Sequence, residues 1–443
     1  MAKNLQAGLR QSMKASREDS LTGDGVFSLA TLDLRFARQK TLDPRVTHTR
    51  ASSGTFVGSD GLIQAAAVDA PRFDHNPTTG ESLGLLVEEA RTNSFEWSNS
   101  ATQGETWSSV GTNLNLASGQ SDPAGGTAGI RATDANSASG GTSLQRTSLA
   151  NLTASTTVTY SIWLKPIDCP NNTINLIISA NTATDSINAN FSVSGTAITA
   201  VSTSASGTGA ASGASFEVFP NGWYRCQLTG VPSTVTMADV RARITLTSYQ
   251  RAIGTARFDW YGAQLESGAF ATSYIPTSGT AATRAADVAS ITGSNFSSWY
   301  RQDEGTVFAE ATPIGDNGSN QFVYALAQGT GIAEEIFLFK NPGTNSITNT
   351  IRSSSSSQFS NSTDSLSPFG SNFKNAIGAS STSTNSAVNG VIQGLDTSVV
   401  MPTIDNLVLG RRANTTFLGN FLIRRLTYWP ARLPDSTLQT ITQ

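Results

Sequence analysis

Short segments in which apolar and polar residues alternate run through most of the chain. Between residues 95 and about 276 they recur at nearly regular spacing, separated by turns rich in Gly, Asn and Ser, and include TVTYSIWLKP, GWYRCQLTG and ARFDWYGAQLE. Alternation with a period of two is typical of strands with one buried face, and no long helical pattern interrupts it. The pattern predicts an antiparallel β-sandwich of jelly-roll type.

The segment ARFDWYGAQLE predicts the strand that closes this sandwich. Phe258 and Trp260 fall on one face of such a strand, and Asp259 and Tyr261 fall on the other. Gly262 permits a β-bulge, which would turn the residues that follow. We therefore expect the strand to change its facing at this glycine.

A second series of strand segments begins near residue 305 with GTVFAEATP and ends with NFLIRRLTYWP, and it predicts a second sandwich. Within it, the Ser-rich stretch 353–368 predicts a surface loop. Pro434 followed by Asp435 predicts the start of a short C-terminal helix, where a missing N–H is harmless and a negative charge favours the dipole. Upstream, short strand candidates between residues 25 and 94 predict a small β unit.

The first residues of the chain show a different pattern. Leu5, Leu9 and Met13 share one face of a helix over residues 3–17, which predicts a short amphipathic helix. A frayed terminus explains the same residues equally well. The sequence thus predicts an all-β fold of tandem antiparallel β-sandwiches in four parts: an N-terminal arm (1–24), a small β docking unit (25–94), a jelly-roll sandwich (95–292) and a second sandwich with a C-terminal helix (293–443).

The amino-acid composition limits which kinds of partner we expect for this chain. Charged residues make up 14% of the chain, well below the roughly 25% of an ordinary soluble domain, and the net charge is −3. Without a broad basic face, nucleic acid is an unexpected partner. No apolar run approaches the roughly 18 residues of a membrane span, and no signal-peptide pattern opens the chain, so we expect synthesis in a cytoplasm. With only six lysines to protect sheet edges, covered edges or oligomer contacts should take that role.

The two cysteines, Cys169 and Cys226, are too few for a disulfide framework or for a zinc site of their own. Two inert buried thiols are the favoured interpretation, because the expected site of synthesis is reducing. A disulfide between them is the alternative.

Two sequence blocks carry a resemblance to a known family. PRFDHNPTTGESLGLLVEEARTN (71–93) and YGAQLESGAFATSYIPTSGTAATRAADV (261–288), with GWYRCQL between them, resemble tailed-bacteriophage virion proteins of the head spike, head fibre or tail fibre type. The last third, with GNFLIRRLTYWPARLPDSTLQTI, resembles a laminin-G or concanavalin-like module. Together the resemblances cover about residues 30 to 443.

The resemblance implies a protein of the virion surface, made in the host bacterial cytoplasm. It implies a homotrimer attached through its N-terminal region to other virion proteins of the capsid, portal or tail. It also implies that the jelly-roll is carbohydrate-binding-like and that host-surface glycans are possible ligands of the lectin-like sandwiches. Head or tail location stays open.

Aromatic side chains are the candidate glycan contacts, because indole and phenol rings stack on the C–H faces of sugars. Trp163, Trp223 and Trp260 lie within strand patterns, where core packing is the better interpretation. The glycan-binding candidates are the aromatic residues at strand starts or in loops: Trp107, Tyr249, Trp299 and Tyr300. Filling an interface is the alternative for each of them.

No catalytic constellation stands out, and the sequence predicts no enzyme. Glu88 and Glu89 would point to opposite faces of a strand, so they cannot both address one glycosidic bond, and an ion pair with Arg91 is the favoured interpretation. The same objection applies to Glu334 and Glu335. The two histidines stand without a G-x-S-x-G motif, so no Ser-His-Asp triad is indicated.

A few charged residues are candidates for structural contacts or for metal binding. Arg284 and Asp287 are expected to pin the junction between modules. Asp74 and His75 are expected to form a turn hydrogen bond rather than a metal pair. The loop DNGSN (316–320) could supply oxygen ligands to calcium, but it lacks further carboxylates. We therefore predict no metal and no cofactor.

The leading hypothesis is a non-enzymatic phage fibre or spike whose sandwiches bind host-surface glycans, strengthened by trimer avidity. A polysaccharide depolymerase tailspike is one alternative, and it needs two carboxylates from distant strands to converge. A purely architectural capsid decoration protein is the other.

Overall fold

The computed structural model describes residues 23–100, 108–110, 114–134, 142–146, 153–169, 173–180, 184–235, 241–247, 257–363, 368–414 and 417–443. Its three helices are short: α1 (Gly23–Phe27), α2 (Gly293–Ser297) and α3 (Asp435–Ile441). Everything else of regular structure is β, apart from a 3₁₀ turn at Pro220–Gly222.

The strands are, in chain order, β1 (Leu32–Leu34), β2 (Thr47–Thr49), β3 (Gly54–Val57), β4 (Ile63–Ala66), β5 (Phe73–His75), β6 (Ser82–Val87), β7 (Arg91–Asn93), β8 (Ser108–Val110), β9 (Leu114–Gln120), β10 (Gly129–Asp134), β11 (Thr142–Arg146), β12 (Val158–Asp168), β13 (Thr173–Ala180), β14 (Asp185–Ser194), β15 (Ala197–Ser206), β16 (Ala210–Val218), β17 (Tyr224–Val231), β18 (Arg241–Thr247), β19 (Arg257–Ser267), β20 (Ala282–Arg284), β21 (Val288–Thr292), β22 (Glu304–Pro313), β23 (Gln321–Ala327), β24 (Glu335–Lys340), β25 (Ile347–Ser353), β26 (Ser356–Thr363), β27 (Phe373–Ser380), β28 (Asn385–Val388), β29 (Val391–Ile392), β30 (Asn406–Leu409) and β31 (Phe421–Trp429). All their pairings are antiparallel within these described ranges. The predicted all-β fold of antiparallel sandwiches is confirmed.

One sandwich consists of two six-stranded sheets, ordered β16-β17-β12-β19-β10-β9 and β15-β14-β13-β18-β11-β8. Its core is a single cluster of apolar side chains from both sheets, including Ile162, Leu176 and Phe191. Alternation supplies this core, because every second residue of a strand faces the opposing sheet. We call this part the inserted sandwich, for the reason given below.

The other sandwich, called here the main sandwich, packs an eight-stranded sheet against a seven-stranded one. The eight-stranded sheet runs β29-β28-β27-β22-β31-β6-β5 with β1 also paired to β31, and the seven-stranded sheet runs β2-β21-β30-β23-β24-β25-β26. Its core draws on strands from both ends of the chain, for example Leu34, Leu85, Leu326 and Phe421.

The predicted small β unit at residues 25–94 is therefore part of the main sandwich in this structure. Leu32 lies opposite Tyr428, and Val87 lies opposite Phe421, both on β31. His48 on β2 lies opposite Ala289 on β21. Three-residue strands such as β1 and β2 cannot bury a face on their own, so they complete sheets supplied by the C-terminal third.

The first sandwich is inserted into the second. The chain leaves the main sandwich through β7 and returns through β20, and these two strands pair, with Asn93 opposite Ala282. β21 (Val288–Thr292) then joins the main sandwich beside β30. The boundary predicted at residue 292 thus falls near residue 281 in the structure, because the strand candidates alone did not reveal which sheet β21 joins.

The bulge predicted at Gly262 is confirmed. Gly262 has a φ of 65°, and the register between β12 and β19 shifts there, since Ser161 faces Gln264 while Trp163 faces Tyr261. A positive φ is readily adopted by glycine and disfavoured for residues with a Cβ atom. As predicted, Trp260 and Tyr261 lie on opposite faces: Trp260 packs in the inserted core, and Tyr261 packs in a second buried cluster with Trp163 and Tyr274.

The Ser-rich stretch 353–368 is not a loop over its described length. Ser354 and Ser355 form a tight turn with φ values of 52° and 66°, and Ser356–Thr363 then forms β26, the edge strand next to β25. Phe359 is 7% exposed and packs in the main core. An edge strand can form with one buried aromatic side chain and with serines on its solvent side. The loop was predicted from serine content alone, and that content does not exclude such a strand.

The C-terminal helix is confirmed. α3 begins directly after Pro434, and its Leu438 and Ile441 are buried in a small cluster with Val26 of α1. In the same cluster, Trp429 Nε1 donates a hydrogen bond to the Val26 carbonyl at 2.8 Å. The two ends of the described chain therefore pack together on the eight-stranded sheet.

Three remaining predictions concern isolated features. The predicted amphipathic helix at 3–17 lies outside the described residues. Cys169 and Cys226 are free and buried, as the favoured interpretation held, and burial raises the pKa of the Cys169 thiol to about 11. In the part of the chain that the structure describes, no helix is long and apolar enough to cross a membrane.

Candidate functional site

A buried network of charges joins the two blocks that carry the family resemblance. Arg72 contacts Glu88 at 2.7 Å and also pairs with Asp287, and Arg50 contacts the other oxygen of Asp287 at 3.0 Å. Arg284 approaches Glu88 at 3.1 Å. We call these five side chains the junction network, and all of them are buried.

The network keeps both acids ionised. Burial alone would raise the pKa of Asp287, but the guanidinium of Arg72, with further help from His48, Arg284 and Arg50, lowers it below its usual range. Burial likewise opposes ionisation of Glu88, and Arg284 and Arg72 lower its pKa. The predicted role of Arg284 and Asp287 as a pin at the module junction agrees with these contacts.

Adjacent carboxylates do not converge, as predicted. Glu88 faces the junction network, whereas Glu89 accepts a hydrogen bond from Arg91 Nε at 2.6 Å. Glu335 is paired with Arg412 at 2.6 Å, while Glu334 accepts the backbone N–H of Ser354 at 2.6 Å. The ion pair predicted for Arg91 is therefore present, and it uses Glu89.

Asp74 and His75 lie in a strand, not in a turn. Asp74 Oδ1 accepts the backbone N–H of Val57 at 2.6 Å, and His75 Nδ1 lies 3.0 Å from the Val57 carbonyl. The expected turn hydrogen bond is thus a link between β5 and β3. The sequence could not show this, because a three-residue strand resembles a turn segment.

The loop 316–320 is organised by its own hydrogen bonds. Asp316 accepts the backbone N–H groups of Gly318 at 2.8 Å and Gly343 at 2.5 Å, and Asn317 Nδ2 donates to Glu89 at 2.9 Å. Across the described ranges, no group of three or more His, Cys, Asp or Glu side chains could hold a metal ion.

Two cavities bring polar side chains together. The first, the junction cavity, has a volume of about 210 Å³ and lies where the two sandwiches meet, with Asp74 from β5 and Glu217 from β16 in its wall. Burial raises the pKa of Asp74 to about 7 and also raises the pKa of Glu217. Arg225 lies over the Trp163 ring at 4.7 Å and donates to the Thr272 carbonyl at 2.5 Å.

The second cavity lies on the outer face of the seven-stranded sheet and has a volume of about 700 Å³. We call it the β30 cavity. Asn406 and Val408 of β30 line it, while Leu407 and Leu409 between them face the main core. Strand alternation therefore exposes one row of β30 to the cavity, and α2 together with the segment after it forms the opposite wall.

One of the predicted glycan contacts, Tyr300, lines the β30 cavity. Its ring lies 4.8 Å from Phe296 and 5.1 Å from Tyr428, which fixes its orientation.

Of the other three predicted glycan contacts, the structure describes one. Trp299 is 4% exposed and packs in the main core behind Tyr300, so contrary to the prediction it presents no indole face. Trp107 and Tyr249 lie outside the described residues. Trp163, Trp223 and Trp260 are core residues, as predicted.

Arg411 is the charged group of the β30 cavity, and the sequence did not single it out. Its Nε is buried with no hydrogen-bond partner, and no carboxylate of the described chain lies within ion-pair distance of it. Burial lowers the pKa of Arg411. The next residue, Arg412, is paired with Glu335 and lies over Phe337 at 5.3 Å. The two adjacent arginines cannot be distinguished in the sequence. In the structure, their side chains point to different surroundings.

Polar groups complete the cavity wall. Asn406 Oδ1 is buried without a partner, while Asn406 Nδ2 donates to the Gly329 carbonyl at 2.7 Å. Gln302 is used internally, since it exchanges hydrogen bonds with the backbone of Ile404 at 2.6 and 3.0 Å. The cavity thus offers an aromatic wall, a free guanidinium and an unused amide oxygen.

Comparisons with known proteins identify no family. No family model matches the chain, and no curated protein matches it. Among solved structures, the CBM40 of the Ruminococcus gnavus IT-sialidase has a TM-score of 0.29 at 15% identity, over 32% of this chain and 84% of that one. The binding domain of botulinum neurotoxin serotype D gives 0.28 at 13% identity, over 35% and 40%. A SAP-like pentraxin from Limulus polyphemus gives 0.25 at 13% identity, over 31% and 68%.

Proposed function

We propose that this chain is a surface fibre or spike protein of a tailed-bacteriophage virion, on the head or on the tail, and that its main sandwich binds host-surface glycans. The β30 cavity is the proposed binding site. The observation that carries the glycan proposal is the placement of the Tyr300 ring and the unpaired Arg411 in one open cavity of about 700 Å³.

The cavity has the composition that sugar binding requires. Aromatic rings cover the apolar C–H face of a sugar, while guanidinium and amide groups bind its hydroxyls. Tyr300 supplies the accessible ring, with the buried Phe296 packed against it, and Arg411 and Asn406 supply the polar groups. Cavities of about 300 to 1,000 Å³ are typical of small-ligand sites.

The virion proposal depends on the family resemblance. Residues 71–93 and 261–288, about 170 positions apart at their nearest, supply four of the five side chains of the junction network. Both blocks of the resemblance therefore build one structural unit, which is a physical reason for them to occur together. Attachment to the particle is assigned to the arm at residues 1–24, since residues 25–94 are built into the main sandwich.

Labelling intact virions tests the location. Antibody raised against the full chain should decorate washed particles by electron microscopy, at the head or at the tail. Absence of the chain from washed particles would overturn the virion proposal. A chain lacking residues 1–22 should fold but fail to join particles, and normal incorporation of that deletion would overturn the docking assignment.

The proposed homotrimer has its own test. Exposed apolar side chains at Val391, Leu395 and Val400 leave a region that association could cover. Light scattering on the full chain should give three times the 46.4 kDa chain mass. A monomeric mass at micromolar concentration would overturn the trimer.

Glycan binding is tested with a pair of variants on α2. Ser297 lines the cavity and is exposed, so Ser297→Trp should fill the cavity without disturbing the core. Ser294→Trp places the same ring on the same helix outside the cavity lining. We expect host-surface polysaccharide binding to be lost in the first variant and kept in the second. A full chain that binds no glycan would favour the purely architectural role instead.

A second candidate function is hydrolysis of a polysaccharide, which the junction cavity favours. Asp74 and Glu217 come from distant strands, and a carboxyl with a pKa near 7 can act as a general acid. If the chain is a depolymerase, new reducing ends should appear on host polysaccharide and disappear in Glu217→Gln. Absence of reducing ends at high protein concentration would leave the non-enzymatic proposal.

A further inference from the structure

We propose that the β30 cavity selects a sugar residue bearing an oxyanion, a carboxylate or a phosphate, and that Arg411 binds this group. The inference rests on the proposed glycan-binding function and adds the chemical class of the ligand. The proposed ligand presents a single anionic group to the cavity. The chain carries a net charge of −3 and has no broad basic face, so it is not suited to bind a long polyanion along its surface.

The first argument is the missing partner of Arg411. A guanidinium has five N–H donors and binds planar oxyanions through a fork of two parallel hydrogen bonds. The three arginines of the junction network each meet a buried carboxylate, and so does Arg412. Within the described residues, Arg411 meets none, although its Nε is withdrawn from water. The chain therefore partly buries this cation without supplying its counter-charge.

The second argument is electrostatic. Burial is the only cause that shifts the pKa of Arg411, and it lowers it. At the junction, nearby carboxylates oppose the effect of burial: they outweigh it for Arg72, whose pKa is raised, and offset part of it for Arg50 and Arg284, whose pKa values stay lowered. An anion bound beside Arg411 would offset the desolvation in the same direction, so binding an anion is favoured over binding a neutral group of the same shape.

The third argument concerns Asp405, the acid that lines the same cavity. Its Oδ1 accepts hydrogen bonds from the Gly329 backbone N–H and from Asn406 Nδ2, both at 2.8 Å. It is thus held by the β30 edge of the cavity and does not reach Arg411. A ligand that presents an oxyanion to Arg411 and hydroxyl donors to Asp405 and Asn406 would match both ends of the site.

The fourth argument is the aromatic wall. Tyr300 is half-buried, and its ring is held by Phe296 and Tyr428. Burial raises the pKa of the Tyr300 hydroxyl well above its usual value, so this side chain stays neutral. An apolar ring wall beside an unpaired cation fits an acidic sugar better than a free inorganic anion, which would leave the ring uncovered.

The test compares matched sugars on the full-length protein. Nuclear magnetic resonance titrations would use glucose, galactose and mannose, the corresponding uronic acids and the corresponding 6-phosphates. We expect at least one acidic sugar to bind ten times or more tightly than its neutral parent. Arg411→Gln should remove that preference, and Arg411→Lys should keep part of it because the charge remains while the fork is lost.

The control is Arg38→Gln, which removes the same charge from an exposed position outside the cavity. It should leave the preference unchanged, and thermal unfolding should show that all variants are folded. The uronic acids and the phosphates separate the two sources of the oxyanion, and a preference for either supports the inference.

Equal binding of neutral and acidic sugars, unaffected by Arg411→Gln, would overturn the inference and leave the proposed glycan binding intact. Binding of no monosaccharide and no host polysaccharide would overturn both.

Discussion

The junction network buries its arginine side chains fully and the β30 cavity buries Arg411 in part, and the two regions surround these cations with different groups. At the junction, Arg50, Arg72 and Arg284 meet the carboxylates of Glu88 and Asp287. In the β30 cavity, Arg411 meets no carboxylate of the described chain and lies beside an open volume.

The difference teaches how to separate structural from ligand-binding charges in this molecule. A buried ion that is fully paired contributes to one specific arrangement of the chain, and removing one partner leaves the other uncompensated. A buried ion that is unpaired costs stability in the free protein and gains its partner only when a ligand binds. The predictions below follow this contrast, from the largest expected effect to the smallest.

Breaking the junction network should have the largest effect. Arg72→Met keeps most of the side-chain volume but leaves Glu88 and Asp287 short of a cation in a buried site. We expect the free energy of unfolding to fall by about 3 to 5 kcal/mol. Urea denaturation followed by tryptophan fluorescence measures this.

The matched control is Arg424→Met, which breaks a surface pair with Glu81, whose side chain is 59% exposed, and a longer contact of 3.4 Å with Glu310. Exposed pairs contribute about 0 to 1 kcal/mol, so this variant should unfold close to the original chain. Equal losses in both variants would show that the junction network has no special role.

The second prediction uses pH, because the two kinds of buried carboxyl respond in opposite directions. The pKa of Asp287 is lowered in the fold, so its contribution to stability is present above its unfolded pKa and is lost as the pH falls. The pKa of Asp74 is raised to about 7, mainly by burial. The ionised form of Asp74 therefore destabilises the fold above pH 7, and the penalty disappears as the pH falls towards 4.

Asp74→Asn should remove that penalty while its amide oxygen keeps the hydrogen bond from Val57. Neighbouring charges act on Asp74 as well: Glu88 and Glu217 raise its pKa, and Arg72 lowers it. With the pKa raised from 3.8 to about 7 and about 1.4 kcal/mol for each pKa unit, we expect the variant to gain about 4 kcal/mol at pH 8, about 2 kcal/mol at pH 5 and close to nothing at pH 3. A variant less stable than the original chain at pH 8 and at pH 5 would contradict a raised pKa.

These regions also show what sequence reasoning can reach. The all-β class, the bulge at Gly262 and the core tryptophans follow from local alternation, because alternation directly specifies which face of a strand is buried. The insertion of one sandwich into the other did not follow. It depends on pairing β1 and β6 with β31, more than 300 residues away, and strands of three to six residues carry no signal for so distant a partner.

Only part of the candidate site was predicted from the sequence. Tyr300 was predicted from its position before a strand, and it lines the β30 cavity. Trp299 was predicted on the same grounds, but its ring turns into the core. Arg411 could not be distinguished from Arg412, because the nearest acid in sequence is not the acid that pairs: Glu335 reaches Arg412 from 77 residues away. Long-range pairing thus decides both the fold and the site.

The third prediction concerns these adjacent arginines. Arg412→Met leaves the fully buried Glu335 unpaired and should cost about 3 kcal/mol of unfolding free energy. Arg411→Met removes a partly desolvated cation with no partner among the described residues, so the stability should stay unchanged or rise by up to about 1 kcal/mol. Urea denaturation of the two variants side by side measures the difference. A loss of similar size for Arg411→Met would mean that this side chain has a structural partner after all.

The smallest expected effect on stability comes from one hydroxyl group. The Tyr300 hydroxyl has no hydrogen-bond partner among the described residues, so Tyr300→Phe should change the unfolding free energy by less than about 0.5 kcal/mol. At the junction, the Ser273 hydroxyl donates to Glu88 at 2.7 Å and accepts from Arg284 at 3.0 Å, so Ser273→Ala should cost about 1 to 3 kcal/mol.

Sugar binding should respond in the opposite way. Tyr300→Phe should weaken binding about two- to tenfold, the contribution of one neutral hydrogen bond, while Ser273→Ala should leave binding unchanged. If Tyr300→Phe destabilised the fold and left sugar binding unchanged, the ring would belong to the core alone, and the contrast between the two regions would rest on Arg411.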